Sequence, residues 1–239
     1  MTSSQLNYLK DRCSVRNFTE REVEEDKFEE IIKSGQRAPS AGNMQPYSFI
    51  VIQGQEKRER LYELSEKQNW VKEAPLLIYI CVDLRRDKRF TEYFGGEWAD
   101  YEGVGRLLFP IIDASLAAQN MVTAAEMLGL GSVFVGTPSE HPREVEDLLS
   151  LPKGVYPLVL LCIGYPEEEP DKTYKWNSST VVHYDEYEEL KEKYIEDYAE
   201  TIEEFTGLDI EEYMEKIQEH YDPEELKESF ERMNRYFEE

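Results

Sequence analysis

The spacing of apolar positions predicts alternating helices and strands. Phe28, Ile31 and Ile32 lie on one stripe of a helix that runs up to Gly35, and Ser48 to Ile52 follows as a strand. A helical pattern from Lys57 to Glu66 precedes a strand from Leu76 to Val82. Asp113 to Leu128 then reads as a helix rich in Ala and Ser, closed by Gly129 at the C′ position. Ser132 to Val135 is a short strand, and Val145, Leu148 and Leu149 mark a short helix. Val155 to Ile163 is a continuous apolar run of the kind that forms an interior strand, ended by Gly164-Tyr165-Pro166. Thr19-Glu20-Arg21-Glu22 has the form of a capping box ahead of the first helix.

From Tyr184 onward the composition shifts to Glu, Lys and Tyr. Tyr187, Leu190, Tyr194, Tyr198, Ile202 and Phe205 recur at helical steps, Gly207 interrupts them, and Ile210, Tyr213, Ile217 and Tyr221 resume the pattern. Asp222-Pro223-Glu224-Glu225 starts a last helix carrying Leu226, Phe230, Met233 and Phe237. The division expected from this shift is 1–183 for the main domain and 184–239 for an acidic helical extension. With small residues on nearly every face, 113–128 is either a helix at a subunit seam or one buried within a single chain. Gly129-x-Gly131 is not a dinucleotide fingerprint, because its glycines follow a helix and open a strand, the reverse of the order such a motif requires.

The 239 residues suffice for one large domain. No run reaches the roughly 18 apolar residues of a membrane span, and the N-terminus has no signal-peptide core, so a cytoplasmic protein is expected. A formal charge of −24 argues against nucleic acid or an anionic membrane as partner, and it makes any cluster of cations informative. Cys13, Cys81 and Cys162 are odd in number and far apart, which indicates neither a disulfide framework nor zinc. His141, His183 and His220 have no metal-like spacing.

Three stretches offer chemistry. In Ala38-Pro39-Ser40-Ala41-Gly42-Asn43-Met44-Gln45-Pro46-Tyr47, small residues leave room for a flat group, while Asn43 and Gln45 supply amide donors and acceptors together. A polar helix-to-strand loop would look the same. In Arg12-Cys13-Ser14-Val15-Arg16, an extended backbone puts Arg12, Ser14 and Arg16 on one side as a phosphate clamp in outline, or as a solvated basic turn. Between 84 and 106, Arg85, Arg86, Lys88 and Arg89 precede Phe90, Tyr93, Phe94, Trp98 and Tyr101. These form either a mobile wall over a site or, the reading preferred here, a charged helix start with core-facing aromatics.

Taken together, Arg-x-Ser-x-Arg, a helix, Ala-Pro-Ser-x-x-Asn-x-Gln-Pro and a strand resemble the N-terminal signature of the nitroreductase family of FMN flavoenzymes, over roughly residues 8 to 187. The resemblance implies an α+β fold, a mostly antiparallel central sheet flanked by helices, and a domain-swapped homodimer whose C-terminal helical extension wraps the partner subunit. It implies FMN held by Arg12, Cys13, Ser14 and Arg16 around the phosphate, and by Ser40, Asn43, Gln45 and Gln68 at the ring. Phe134, Val135 and Gly136 would pass the ring with their backbone. Lys175, and Lys172 offset by one residue, match basic positions of the branch of NADPH-dependent nitro and flavin reductases. Pro138 and Ser139 stand where that branch often has an Arg, so a preference between NADPH and NADH is not inherited. The activity implied is hydride transfer from NAD(P)H to flavin, then reduction of a nitroaromatic, quinone or free flavin by a ping-pong mechanism. Dehalogenation, flavin breakdown, ring dehydrogenation and flavin binding without turnover are the alternatives. Because flavin carries the chemistry, no catalytic side chain is required, and the sequence shows no triad.

Overall fold

A computed structural model of the chain describes residue 6 and residues 9–99, 104–168, 170, 173–220 and 223–238. Four strands, β1 (Tyr47–Val51), β2 (Leu76–Asp83), β3 (Gly131–Val135) and β4 (Val155–Gly164), form one sheet in the order β1-β2-β4-β3, each neighbour antiparallel. All eight residues of β2 are buried, because helices cover both faces of this central strand. Its side chains alternate between two cores. Leu77, Tyr79 and Cys81 meet Leu160 and Cys162 on one face, while Leu76, Ile78, Ile80 and Val82 meet Leu161 and Ile163 on the other.

The first face is covered by α2 (Gln55–Leu64), α3 (Trp70–Glu73) and α6 (Pro142–Leu149), through residues such as Leu61, Val71 and Val145. The second is covered by α1 (Glu25–Gln36) and α5 (Leu108–Met127), which also pack against each other through Ile31 and Met121. The Gly35 Cα approaches the second helix so closely that an added Cβ would lie 2.6 Å from Met121 Cγ. A bulge on β4 interrupts its pairing with β2: Ile80 faces Val159, but Cys81 faces Pro157. The bulge leaves the carbonyl of Leu158 to accept a hydrogen bond from Ser139 Oγ at 2.7 Å. Burial pushes the thiol of Cys81 up to about 12 and that of Cys162 upward as well, so both stay protonated.

The chain divides into two compact units, Met1–Pro170 with Ser229–Glu239, and Asp171–Glu228. In the second unit, Tyr174 packs its ring against Tyr198, Phe205 and Tyr213, and Trp176 stacks on Tyr198 with 3.7 Å between centroids. Its helices are α7 (Glu192–Thr206), ended by Gly207 at φ +71°, and α8 (Ile210–His220). The last helix, α9 (Pro223–Glu238), ends within the first unit, where Tyr236 and Phe237 pack on Tyr156.

Four expectations need correction. The first helix begins at Glu25 with no side-chain cap; Thr19 Oγ1 instead accepts the N–H of Arg21 in a local turn, so there is no capping box. The small-residue helix starts at Leu108, five residues before Asp113, and its first turns leave Leu108, Phe109 and Ile112 exposed. The aromatics of α4 (Arg85–Tyr93) do not face the core: Phe90, Tyr93 and Phe94 are 68%, 83% and 71% exposed, and the side turned inward carries Asp87. Residues 184–191 are not helical, and the tail helix starts only at Glu192. In addition, Gly105–Met127 passes as a membrane span by length and composition, yet its inward face, Ala114, Ala117, Ala118, Met121, Val122 and Ala125, is core.

Candidate functional site

The loop between α1 and β1 is built on left-handed backbone. Gly42, Asn43 and Gln45 have φ of +57°, +56° and +56°; Asn tolerates this region, but Gln enters it at a cost and must be held there. Ser40 Oγ accepts the Gln45 N–H at 3.2 Å, and the Gln45 carbonyl accepts the Tyr47 N–H at 2.8 Å. The Gln45 amide Nε2 donates to the carbonyl of Asn43 at 3.3 Å. Two groups outside the loop complete the frame. Both carboxylate oxygens of buried Asp113 accept the Ala41 N–H at 3.1 Å, and Arg86 Nη2 donates to the carbonyls of Gln45 and Tyr47 at 2.8 and 2.5 Å.

A second group of candidates assembles along β3. The N–H of Val15 donates to the Ser132 carbonyl at 2.9 Å, and the side chain of Val15 fills the space over Gly131, so the segment runs along the strand with Val15 in the core. Arg12, Ser14 and Arg16 alternate with it. The Cys13 thiol donates to the Pro170 carbonyl at 3.7 Å. The Arg16 guanidinium stands 5.6 Å from the centre of the Trp70 ring, and Trp70 Nε1 is buried without a hydrogen-bond partner. Two residues before Trp70, Gln68 Nε2 donates to Thr137 Oγ1 at 3.4 Å, which places Gln68 beside the end of β3. There Phe134 is 39% exposed, Val135 is buried, and a Cβ added to Gly136 would meet no atom within 4 Å. Arg12 lies near Glu126: burial raises the Glu126 carboxyl to about 7, with the Arg12 cation pulling the other way.

Arg12, Ser14, Arg16, Gln68 and Phe134–Gly136 therefore share one region, while Ser40, Asn43 and Gln45 occupy another. The first is anchored near Glu126 and the second at Asp113, thirteen residues apart on the same helix, or about 20 Å at 1.5 Å per residue. Lys175 is an exposed residue of the second unit, and Lys172 lies outside the described residues. The sequence reading missed Asp113, Arg86, Trp70 and Thr137 as site residues. Asp113 left a trace, being the one charged residue in the stretch from Leu107 to Thr123. Arg86 was hidden in a basic run. Among the described residues no group of three or more His, Cys, Asp or Glu is arranged to hold a metal.

Residues 9–165 match the family model described as the Nitroreductase family. The chain is 32% identical over 207 residues to an FMN reductase [NAD(P)H] of Bacillus subtilis, covering 84% of this chain and 82% of that protein. It is 33% identical over 192 residues to an oxygen-insensitive NADPH nitroreductase of Salmonella typhimurium, covering 80% and 78%. Among solved structures, an NADPH:FMN oxidoreductase from Vibrio harveyi complexed with NAD+ superposes with a TM-score of 0.83 at 25% identity, over 97% of this chain and 98% of that one. An antiparallel sheet of this order, the arginine segment laid along β3 and the left-handed amide loop accompany a sequence match over well more than half the chain, and the chain belongs to the nitroreductase family.

Proposed function

We propose that this protein is an FMN-dependent NAD(P)H oxidoreductase reducing nitroaromatic, quinone or free flavin acceptors by a ping-pong mechanism. The observation that carries the reading is the convergence of Arg16, Trp70, Gln68 and the open flank of Gly136 beside the Arg12–Ser14–Arg16 segment, in a chain of net charge −24. The residues fit the group. Two guanidinium groups and a hydroxyl suit a phosphate, the buried Trp70 Nε1 lacks a partner, and the backbone at Gly136 carries no Cβ to keep a flat ring away. FMN, when bound, supplies the hydride and electron transfer.

The side chains bind and orient. Arg12, Ser14 and Arg16 would hold the phosphate, Gln68 and the amides of Asn43 and Gln45 would fix the ring edge, and Phe134, Val135 and Gly136 would pass the ring with their backbone. The ping-pong order would follow from nicotinamide and acceptor using the same face of the bound ring in turn. Rapid anaerobic mixing of the FMN-loaded protein with NADPH or NADH tests the reading. Loss of the yellow absorbance within a catalytic turnover time is expected with at least one nucleotide, and persistence of the colour with both would exclude reductase activity in favour of flavin storage.

The working unit is proposed to be a homodimer. Leu108, Phe109, Ile112 and Leu116 are 58%, 63%, 45% and 41% exposed along the outer face of α5, an apolar stripe that a monomer rarely leaves in water. The thirteen-residue helical separation of the anchors Asp113 and Glu126 supports the same reading, since a second copy can bring its loop 40–45 to the first copy's Arg16 and Gln68. Sedimentation at micromolar concentration is expected to give twice the chain mass of 28.1 kDa; a single 28.1 kDa species would argue against the dimer.

A further inference from the structure

We infer that Arg86 and Asp113 are positioning residues for the flavin ring, acting through the backbone of residues 40–47. This inference rests on the flavin reading above. Three of the four positions Gly42, Asn43, Met44 and Gln45 are left-handed, and Gln45 keeps φ +56° against its preference with one bond from its own Nε2 to the Asn43 carbonyl and one from its N–H to Ser40 Oγ. The loop is held from both ends by charged groups. At its start, the two oxygens of Asp113 share the Ala41 N–H at 3.1 Å; this carboxylate is 5% exposed and comes from the helix behind the loop. At its end, Arg86 Nη2 bridges the carbonyls of Gln45 and Tyr47.

The Arg86 frame is itself fixed. The backbone N–H of Arg86 donates to Asp83 Oδ1 at 3.2 Å, and Asp83 Oδ2 accepts from Ser48 Oγ at 2.5 Å, so the arginine is locked to the same strand whose entry it braces. Charge-assisted hydrogen bonds to backbone are about twice as strong as neutral ones, which suits the task of holding a disfavoured conformation. Two charged anchors, on residues 27 positions apart in sequence, converge on this one loop. Their common effect is to present the exposed edge of Asn43 and Gln45 in one geometry.

The consequence separates this role from that of the phosphate cations. A residue that orders the ring-binding loop affects every ligand that carries the ring, phosphorylated or not. Titrating FMN and riboflavin into the apo-protein, by quenching of flavin fluorescence, and recording the visible spectrum of the bound flavin, tests this on Arg86→Met, Arg86→Lys and Asp113→Asn. Arg86→Met is expected to weaken FMN and riboflavin by the same factor, about tenfold for two lost hydrogen bonds, and to shift the visible bands of the bound flavin. Arg86→Lys, which keeps a cationic donor, restores most of the affinity; Asp113→Asn, which keeps one acceptor for Ala41, loses less than Arg86→Met. The inference is overturned if the unmodified protein binds both flavins while Arg86→Met and Asp113→Asn bind them with unaltered affinity and spectrum. It is also overturned if Arg86→Met loses FMN affinity alone, for then the arginine serves the phosphate. Failure of the unmodified protein to bind either flavin would instead remove the flavin reading on which it stands.

Discussion

Replacing Arg16 with alanine is expected to weaken FMN binding roughly tenfold to a hundredfold while leaving riboflavin affinity within about twofold, because a hydrogen bond to a charged group contributes about 1.5–3 kcal/mol and riboflavin has no phosphate to receive it. Micromolar affinity corresponds to about 8 kcal/mol in total, so the loss of a single such contact is a large share of binding. The geometry makes the effect local. Arg16 is exposed, takes part in no hydrogen bond of the core, and rests on the Trp70 ring, whose support for a surface cation is about 0.5–1 kcal/mol. The apo-protein should therefore melt close to the unmodified temperature. Isothermal titration with the two ligands is the measurement, and equal losses for both would show that Arg16 does not address a phosphate. Set beside Arg86→Met, where both ligands are expected to suffer alike, the pair of variants separates the phosphate end of the site from its ring end.

Gly131→Ala is expected to be a damaging small substitution in the sheet. Its Cβ would lie 2.3 Å from Val15 Cγ2 and 2.8 Å from Val15 Cβ, both distances that real structures do not tolerate, and Val15 is already packed in the core. Overpacking of this kind costs about 1–3 kcal/mol, which for a domain of this size lowers the melting temperature by roughly 3–10 °C. The chain can yield only by moving Val15, and that breaks its N–H bond to Ser132 and displaces Ser14 and Arg16 on either side. FMN affinity should fall with stability, about tenfold or more. The companion variant Val15→Ala/Gly131→Ala recovers part of both, since Val15 Cγ2, the nearest clashing atom, is removed while Val15 Cβ stays. Gly136→Ala serves as the control: among the described residues, its sequence neighbours aside, no atom lies within 4 Å of its added Cβ, so its melting temperature should hold even where flavin binding does not. An unshifted melting temperature in Gly131→Ala would mean that Val15 does not sit over the strand as described.

Much of the architecture was legible because it depends on local repetition. The strands at Leu76 and Val155 announce themselves as apolar runs, and the structure buries both faces of β2 as such runs require. Gly129 and Gly207 end helices in the left-handed conformation that their positions implied. Where the reading failed, a nonlocal partner had decided the outcome. Phe90, Tyr93 and Phe94 have the composition of a core stripe, yet the inward side of their helix is taken by Asp87, whose carboxyl burial raises to about 6. Thr19 and Glu22 have the spacing of a capping box, but Tyr165 draws the segment into a sheet-like alignment by accepting the Thr19 N–H at 2.9 Å, and the helix starts later.

The sequence by itself determined the family and most of the strand and helix pattern, since each rests on residue type and short spacing. Only the tertiary structure decided the strand order, the burial of Asp113 behind the loop and the seating of Arg16 on Trp70. Residues 41 and 113, or 16 and 70, share no periodicity through which one could report the other. Their meeting follows from how two helices and a strand pack, and packing is a property of the whole chain.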